Sequence, residues 1–181
     1  MTKIINKETL WNGKHLKAVL YEYGNSKSPK LRWEAFSRLN CYGIVAIVPI
    51  TKDGEVIVIK QFRPPVEKYV VEFPAGLNDR SESLIDVAKR ELLEETGYKA
   101  QTIKEIAIGP LSAGASTEVL TLYLATGLIP VSEQKLDLEE EIEIFKLPFD
   151  KFYDHVYKLE NENTYIDLKL YGLFELAKKH L

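Results

Sequence analysis

The stretch that decides the fold is residues 76–98, which read GLNDRSESLIDVAKRELLEETGY. Residues 76–80 have the composition of a turn. Ser81 and Glu82 predict the start of a helix, because a hydroxyl and an early carboxylate suit the free N–H groups there. Gly97 predicts its end, since glycine tolerates the left-handed conformation that closes a helix. The stretch therefore predicts a turn followed by about four turns of helix.

One face of this predicted helix changes from apolar to acidic. The apolar positions recur at three- and four-residue spacing, and they are Leu84, Val87 and Ala88. Glu91 and Glu95 continue the same stripe, and Glu94 lies beside them. Carboxylates crowded at the negative end of a helix repel one another, which favours a bound hard cation such as Mg2+. The alternative is a solvated acidic face that pairs with Lys89 and Arg90.

The spacing within residues 76–98 resembles the Nudix box at every defined position. The matching positions are Gly76, Glu82, Arg90-Glu91-Leu92, Glu94-Glu95 and Gly97-Tyr98. Enzymes with this box cleave a diphosphate linked to another moiety, with bound Mg2+ or Mn2+. The resemblance implies that Glu91 and Glu95 are the main metal ligands. It also implies that Glu94 is a further ligand with a catalytic role, and that Ala75 provides a backbone carbonyl ligand.

The other two charged box positions have a different prediction. Glu82 and Arg90 point away from the carboxylate stripe on a helical wheel. We therefore expect them to be structural and to pair with each other or to cap loops.

Composition limits the classes of protein that the chain can represent. Its 181 residues suit one domain with a small appendage, and 27 acidic against 24 basic residues give a formal charge of −3. This balance gives no support for a nucleic-acid partner. Cys41 is the single cysteine, which excludes an intrachain disulfide and favours a reducing compartment. No apolar run suits a signal peptide or a membrane span, so we expect a cytoplasmic protein without a membrane partner.

The hydrophobic pattern outside the box predicts an α+β protein. Predicted strands cover residues 15–23, 31–38, 44–50, 56–62, 69–73, 102–108, 119–125 and 141–147, and predicted helices cover 149–157 and 165–180. Together with the box helix, these elements predict a mixed β-sheet between helices, an α/β/α arrangement. The resemblance of residues 76–98 implies that this arrangement is the Nudix fold. Residues 1–40 are expected to form a small N-terminal antiparallel sheet, and residues 41–181 the catalytic domain. The family resemblance implies that the N-terminal sheet serves dimerisation and nucleoside binding.

Residues outside the box resemble the ADP-ribose pyrophosphatase branch of the family. The similar runs are EFPAGL at 72–77, QFRPP at 61–65, and Trp33-Glu34 followed by Arg38. In that branch the aromatic ring stacks on adenine, the acid accepts from its amino group, and the arginine holds the nucleotide. The resemblance places Glu72 near the substrate. From the residues alone, Trp33 fits a core position equally well.

Arg63 precedes the stiff pair Pro64-Pro65, which would fix its guanidinium for a phosphate oxygen. From the residues alone, a structural ion pair with Glu67 or Glu72 remains open.

A second acidic run lies at residues 138–143. By itself such a run suits a solvated surface. In the resembling enzymes a glutamate on this late loop orients or deprotonates the attacking water. Aligning the strand that follows assigns this role of general base to Glu140, with Glu139 and Glu141 as alternatives.

The resemblance implies hydrolysis of a nucleoside diphosphate sugar by a homodimer, with ADP-ribose giving AMP and ribose 5-phosphate. Two departures leave the preferred nucleoside and sugar open. The loop at 111–116 lacks the proline that the branch often carries, and His15 stands roughly where a relative has a second stacking tryptophan. The alternatives are a catalytically silent Nudix domain that senses a nucleotide, and a Nudix enzyme with another substrate such as GDP-mannose.

Overall fold

The computed structural model describes residues 1–136 and 141–181. The strands are β1 (Lys3–Asn12), β2 (Leu16–Gly24), β3 (Leu31–Arg38), β4 (Ile44–Thr51), β5 (Glu55–Arg63), β6 (Lys68–Glu72), β7 (Ala75–Leu77), β8 (Tyr98–Lys99), β9 (Thr102–Pro110), β10 (Val119–Pro130), β11 (Ile142–Pro148) and β12 (Thr164–Ile166). The helices are α1 (Leu84–Thr96), α2 (Phe152–Val156) and α3 (Leu168–Lys178). Among the described residues, no helix has the length and hydropathy needed to cross a membrane.

Within the described residues, the strands form two sheets. The smaller has the order β1-β2-β3 and is antiparallel. The larger has the order β12-β6-β5-β4-β10-β8, with β7 on β4, β9 on β10 and β11 on β5. Because β10 runs parallel to β4 and β12 parallel to β6, while the remaining pairs are antiparallel, the large sheet is mixed, as predicted.

The central strand β4 explains why helices cover both faces of this sheet. All eight of its residues are buried. Ile44, Ala46, Val48 and Ile50 pack in one core with residues of α2 and α3, whereas Val45 and Ile47 pack in the other core with α1. Successive strand side chains point to opposite faces, so a continuous apolar strand requires apolar cover on both. The predicted α/β/α arrangement is confirmed.

The C-terminal prediction was wrong in its first residues. Residues 165–180 were predicted as one helix, but Tyr165 pairs with Val70 of β6 in parallel register. Asp167 then caps α3 by accepting a hydrogen bond from the Lys169 N–H at 3.0 Å. A strand and a cap therefore occupy the first three residues of the predicted helix.

The N-terminal sheet contains a strand that the hydrophobic pattern missed. Every residue of β1 is exposed. Its pairing with β2 carries register shifts between Ile4 and Asn6 and between Thr9 and Trp11. A strand with no buried face gives no alternation of polar and apolar residues, which explains the miss.

Candidate active site

The helix that bears the carboxylates begins later than the sequence indicated. Ser81 has φ of 57°, a left-handed conformation that is incompatible with a helix, so the predicted start at Ser81 was wrong. The cap is Ser83, whose side chain accepts a hydrogen bond from the Asp86 N–H. Gly97 ends the helix with φ of 73°, as predicted.

Strand β7 brings the box glycine against the carboxylate face of α1. Gly76 pairs with Val45 of β4, so it belongs to a strand rather than to the predicted turn. A Cβ atom at Gly76 would lie 2.0 Å from Cδ and 2.2 Å from Oε1 of Glu91. Glycine therefore gives the Glu91 side chain room to lie against the backbone of β7.

Glu95 is buried beside the same strand. Only 3% of its surface is exposed, and one carboxylate oxygen accepts a hydrogen bond from the Ala75 N–H at 3.1 Å. This hydrogen bond holds the Glu95 carboxylate next to Ala75. The family resemblance implies that the backbone carbonyl of Ala75 is a metal ligand. Ala75 itself is held by its pairing with Ala46 of β4.

Arg90 lies among the carboxylates, contrary to the prediction that it points away from them. Its Nη1 is 2.8 Å from Glu91 Oε1 and 3.0 Å from Glu94 Oε2. The predicted pairing with Glu82 is also present, with Glu82 Oε1 3.5 Å from Nε. Burial acts to lower the pKa of Arg90, but the three carboxylates outweigh it and the net shift is upward. Arginine is long enough to reach Glu91 and Glu94 from its own side of the helix, so the wheel projection misplaced its charge.

Carboxylate and carbonyl oxygens at this end of α1 are the type of ligand that a hard divalent cation prefers. In the arrangement of residues 1–136 and 141–181, however, no three acidic, histidine or cysteine side chains converge on one point. Two of the three carboxylates turn to Arg90, which supplies part of the positive charge that the cluster requires. To hold a cation, Glu91 and Glu94 must turn from the guanidinium toward it.

Arg63 and Glu72 form an ion pair, one of the alternatives left open by the sequence. The Glu72 carboxylate accepts from Nε at 2.8 Å and lies 2.7 Å from Nη2. The Glu72 side chain is 12% exposed and that of Arg63 is 43% exposed. Burial raises the pKa of Glu72, and the charge of Arg63 opposes the shift only in part. The pair fixes the guanidinium while leaving part of it open to a ligand.

Arg38 is held in a similar way by Glu118, a residue that sequence reasoning missed. Nε of Arg38 is 2.5 Å from Glu118 Oε1. Ser116 donates from its hydroxyl to the other oxygen of that carboxylate at 3.3 Å. Eighty residues separate the two partners, so no local pattern could have joined them.

Two adjoining cavities contain most of the predicted site residues. The smaller has a volume of about 460 Å3 and contains Glu91, Glu94 and Glu95 in its lining. The larger has a volume of about 830 Å3 and includes Glu72. Both are lined by Arg38, Arg63 and residues 75–77, so the cavities meet at two arginines and the metal-loop backbone.

Two of the predicted residues that the structure describes, Trp33 and Glu34, do not line these cavities. Both are exposed on β3. Trp33 is 50% exposed, and its Nε1 donates to the Gly114 carbonyl at 2.9 Å. Glu140 and its alternative Glu139 lie outside the described residues, whereas Glu141 is exposed just before β11.

Residues after β10 bind the C-terminal end of α1, which the sequence did not indicate. Gln134 donates from its side-chain amide to the Glu95 carbonyl at 2.6 Å and to the Ile142 carbonyl at 3.2 Å. The Lys135 N–H donates to the Glu94 carbonyl at 2.9 Å. These bonds satisfy helix-end carbonyls and join three elements beside the carboxylates.

Known proteins are similar to this chain over most of its length. A model of the NUDIX domain matches residues 42–167. The chain is 31% identical to an ADP-ribose pyrophosphatase of Bacillus subtilis over 180 residues, 98% of this chain and 93% of the relative. It is 30% identical to an ADP-sugar pyrophosphatase of Mus musculus over 98% of this chain and 87% of the relative.

A solved structure supports the same fold. The crystal structure of an ADP compounds hydrolase superimposes with a TM-score of 0.81 and 22% identity, covering 99% of this chain and 94% of the other.

Proposed function

The chain belongs to the Nudix family, and from that premise we propose that it hydrolyses the diphosphate bond of ADP-ribose and related nucleoside diphosphate sugars in a Mg2+-dependent reaction. The observation that carries the proposal is the pair of cavities that meet at Arg38 and Arg63. A carboxylate cluster suited to cations lies in the smaller cavity. The larger has room for a nucleoside or sugar, and the junction suits a diphosphate. The names of the two pyrophosphatase relatives support this class of substrate.

Each part of the site then has a distinct role. Glu91, Glu94, Glu95 and the Ala75 carbonyl would hold Mg2+, with Mn2+ as a possible replacement. The cation supplies charge neutralisation for the diphosphate and makes water more acidic. The guanidinium of Arg63 binds phosphate oxygens and stabilises their charge during the displacement.

The general base is assigned to Glu140. Its carboxylate orients the attacking water and accepts its proton, and no covalent intermediate with the enzyme is needed. With ADP-ribose the products are AMP and ribose 5-phosphate. Glu139 and Glu141 stay as alternatives for the base.

We assign nucleoside binding to the sheet of residues 1–40 in a homodimer. Trp33 and Glu34 do not line the cavities of their own chain, and β1 is exposed along its length. A second copy that received these residues would complete its pocket with a stacking ring and an acceptor for an amino group. Residues 41–181 form the catalytic domain, and the single cysteine, Cys41, supports a cytoplasmic location.

The test of the function is hydrolysis of a panel consisting of ADP-ribose, ADP-glucose, GDP-mannose, UDP-glucose, NADH and dATP, with Mg2+ and with EDTA. The expected result is AMP released from ADP-ribose, abolished by EDTA and much weaker for the other compounds. Comparable cleavage of GDP-mannose would indicate a broader hydrolase. If no compound turned over but ADP-ribose raised the melting temperature, a silent nucleotide sensor would replace the proposal.

A further inference from the structure

The smaller cavity contains more positive charge than its assigned residues explain. Four arginines line it, and each has a carboxylate partner. The pairs are Arg38 with Glu118, Arg63 with Glu72, Arg80 with Asp79, and Arg90 with Glu91 and Glu94. Two lysines, Lys14 and Lys135, line the same cavity. Within the described part of the chain, neither lysine side chain has a carboxylate within ion-pair distance.

Both lysines project from backbone that is fixed near the site. The Lys135 N–H donates to the Glu94 carbonyl at 2.9 Å, which places this lysine at the end of the carboxylate-bearing helix. Lys14 lies in the turn between β1 and β2. The Gly13 N–H donates to the Leu16 carbonyl at 2.8 Å and closes this turn. The Leu39 N–H donates to the His15 carbonyl at 2.9 Å and ties the turn to the end of β3.

We propose that Lys14 and Lys135 bind phosphate oxygens of the substrate, one from the N-terminal sheet and one from the end of α1. This inference rests on the proposed function, because it takes a diphosphate as the occupant of the smaller cavity. An ammonium group is a compact charge with three donors and suits a phosphate oxygen. The carboxylates of the cavity repel the same phosphates, so free cations on two sides offset that repulsion.

A structural alternative predicts the opposite effect on metal affinity. If the lysines only balanced the charge of Glu91, Glu94 and Glu95, removing them would strengthen Mg2+ binding and leave the KM for substrate unchanged. If they bind phosphate, removing them weakens substrate binding at saturating Mg2+. The two roles are therefore separated by measuring the KM and the Mg2+ activation constant in the same variants.

The experiment uses the full chain with Lys14→Gln, Lys135→Gln and the double substitution. At saturating Mg2+, we expect each single variant to raise the KM for ADP-ribose about fivefold, and the double variant about 25-fold. We expect kcat to change less than about twofold, because binding is lost equally in the ground state and the transition state. Lys135→Arg should keep most of the affinity for ADP-ribose that Lys135→Gln loses, because arginine keeps the positive charge.

Lys104→Gln is the matched control, because Lys104 is exposed on β9 and lines neither cavity. This substitution changes the net charge by the same amount as Lys14→Gln or Lys135→Gln. If the parent protein hydrolyses ADP-ribose but both lysine variants keep the KM of this control, the lysine inference is wrong and the proposed function stands. Calorimetric binding of ADP tests the lysines independently of turnover, in case the parent protein hydrolyses no substrate. ADP affinity that falls in both variants of a protein without turnover supports the lysines and contradicts the hydrolase. A parent protein that binds no ADP and hydrolyses nothing overturns both.

Discussion

Replacing Gly76 with alanine tests the close approach of β7 to the carboxylate face of α1. The new Cβ would lie 2.0 Å from Cδ of Glu91, whereas ordinary contact begins at 3.4 Å. The carboxylate must therefore move by about 1.4 Å, the difference between these distances. Because Gly76 does not have a positive φ, alanine is compatible with the backbone, and the steric contact with Glu91 is the change that matters.

This displacement should affect catalysis more than folding. A shift of about 1 Å in a group that positions reactants can cost about 100-fold in rate, so we expect kcat/KM for ADP-ribose to fall by about that factor. Overpacking a close contact costs about 1–3 kcal/mol, which corresponds to a fall of about 2–12 °C in Tm for a protein of this size. Steady-state hydrolysis at saturating Mg2+ and a thermal melt measure the two quantities.

Gly109→Ala is the control for the change from glycine to alanine in a strand. A Cβ at Gly109 meets nothing within 4 Å, so this variant should keep the parent activity. Equal kcat/KM values for the Gly76→Ala and Gly109→Ala variants would refute the reasoning, because the Glu91 carboxylate would then reach its working position despite the added Cβ.

Three further changes have effects that follow from described contacts. Arg90→Gln should lower the free energy of unfolding by about 2 kcal/mol in EDTA, since partly buried carboxylates lose their cation. Mg2+ should restore more stability to this variant than to the parent in thermal melts. Burial holds the pKa of the Glu72 carboxyl above its usual 4.5. The folded protein therefore binds a proton at Glu72 more tightly than the unfolded chain does. The stability that Glu72 contributes falls as the pH rises from 4.5 through the folded-state pKa. Arg63→Gln removes the opposing charge, so its loss of stability in urea unfolding should grow between about pH 4 and about pH 7, and a constant difference would contradict the assigned cause. Gln134→Ala removes two hydrogen bonds to carbonyls and should cost about 1–3 kcal/mol in urea unfolding, whereas an unchanged midpoint would show that water replaces the amide.

The fold was predictable where burial imposes a period on the sequence. Strand β3 has the predicted bounds, Leu31–Arg38, and β4 extends the predicted run by one residue. Gly97 ends α1 as expected because the chain needs a left-handed residue there. The exposed strand β1 has no such period, and the helix start at residue 81 was misplaced because several adjacent residues have side chains suited to a cap.

The candidate site was predictable in its residue types more than in its contacts. The spacing of residues 76–98 singled out the carboxylates, and the structure places all three beside one cavity. The spacing did not predict that Arg90 contacts Glu91 and Glu94, because a helical wheel ignores side-chain length. Glu118 lies in the segment before β10 and Lys14 in the turn between β1 and β2, and only tertiary structure brings these residues to the cavities.

Hydrolysis of ADP-ribose by the Glu95→Gln variant over a range of Mg2+ concentrations tests the central claim most directly. Glutamine has the same shape and can still accept the hydrogen bond from the Ala75 N–H, so the variant should melt within about 3 °C of the parent. Loss of one charged ligand should cost several kcal/mol of transition-state stabilisation, so we predict that turnover falls at least about 100-fold even at saturating Mg2+. Turnover near the parent value in a folded variant would contradict the claim that this carboxylate cluster holds the catalytic metal.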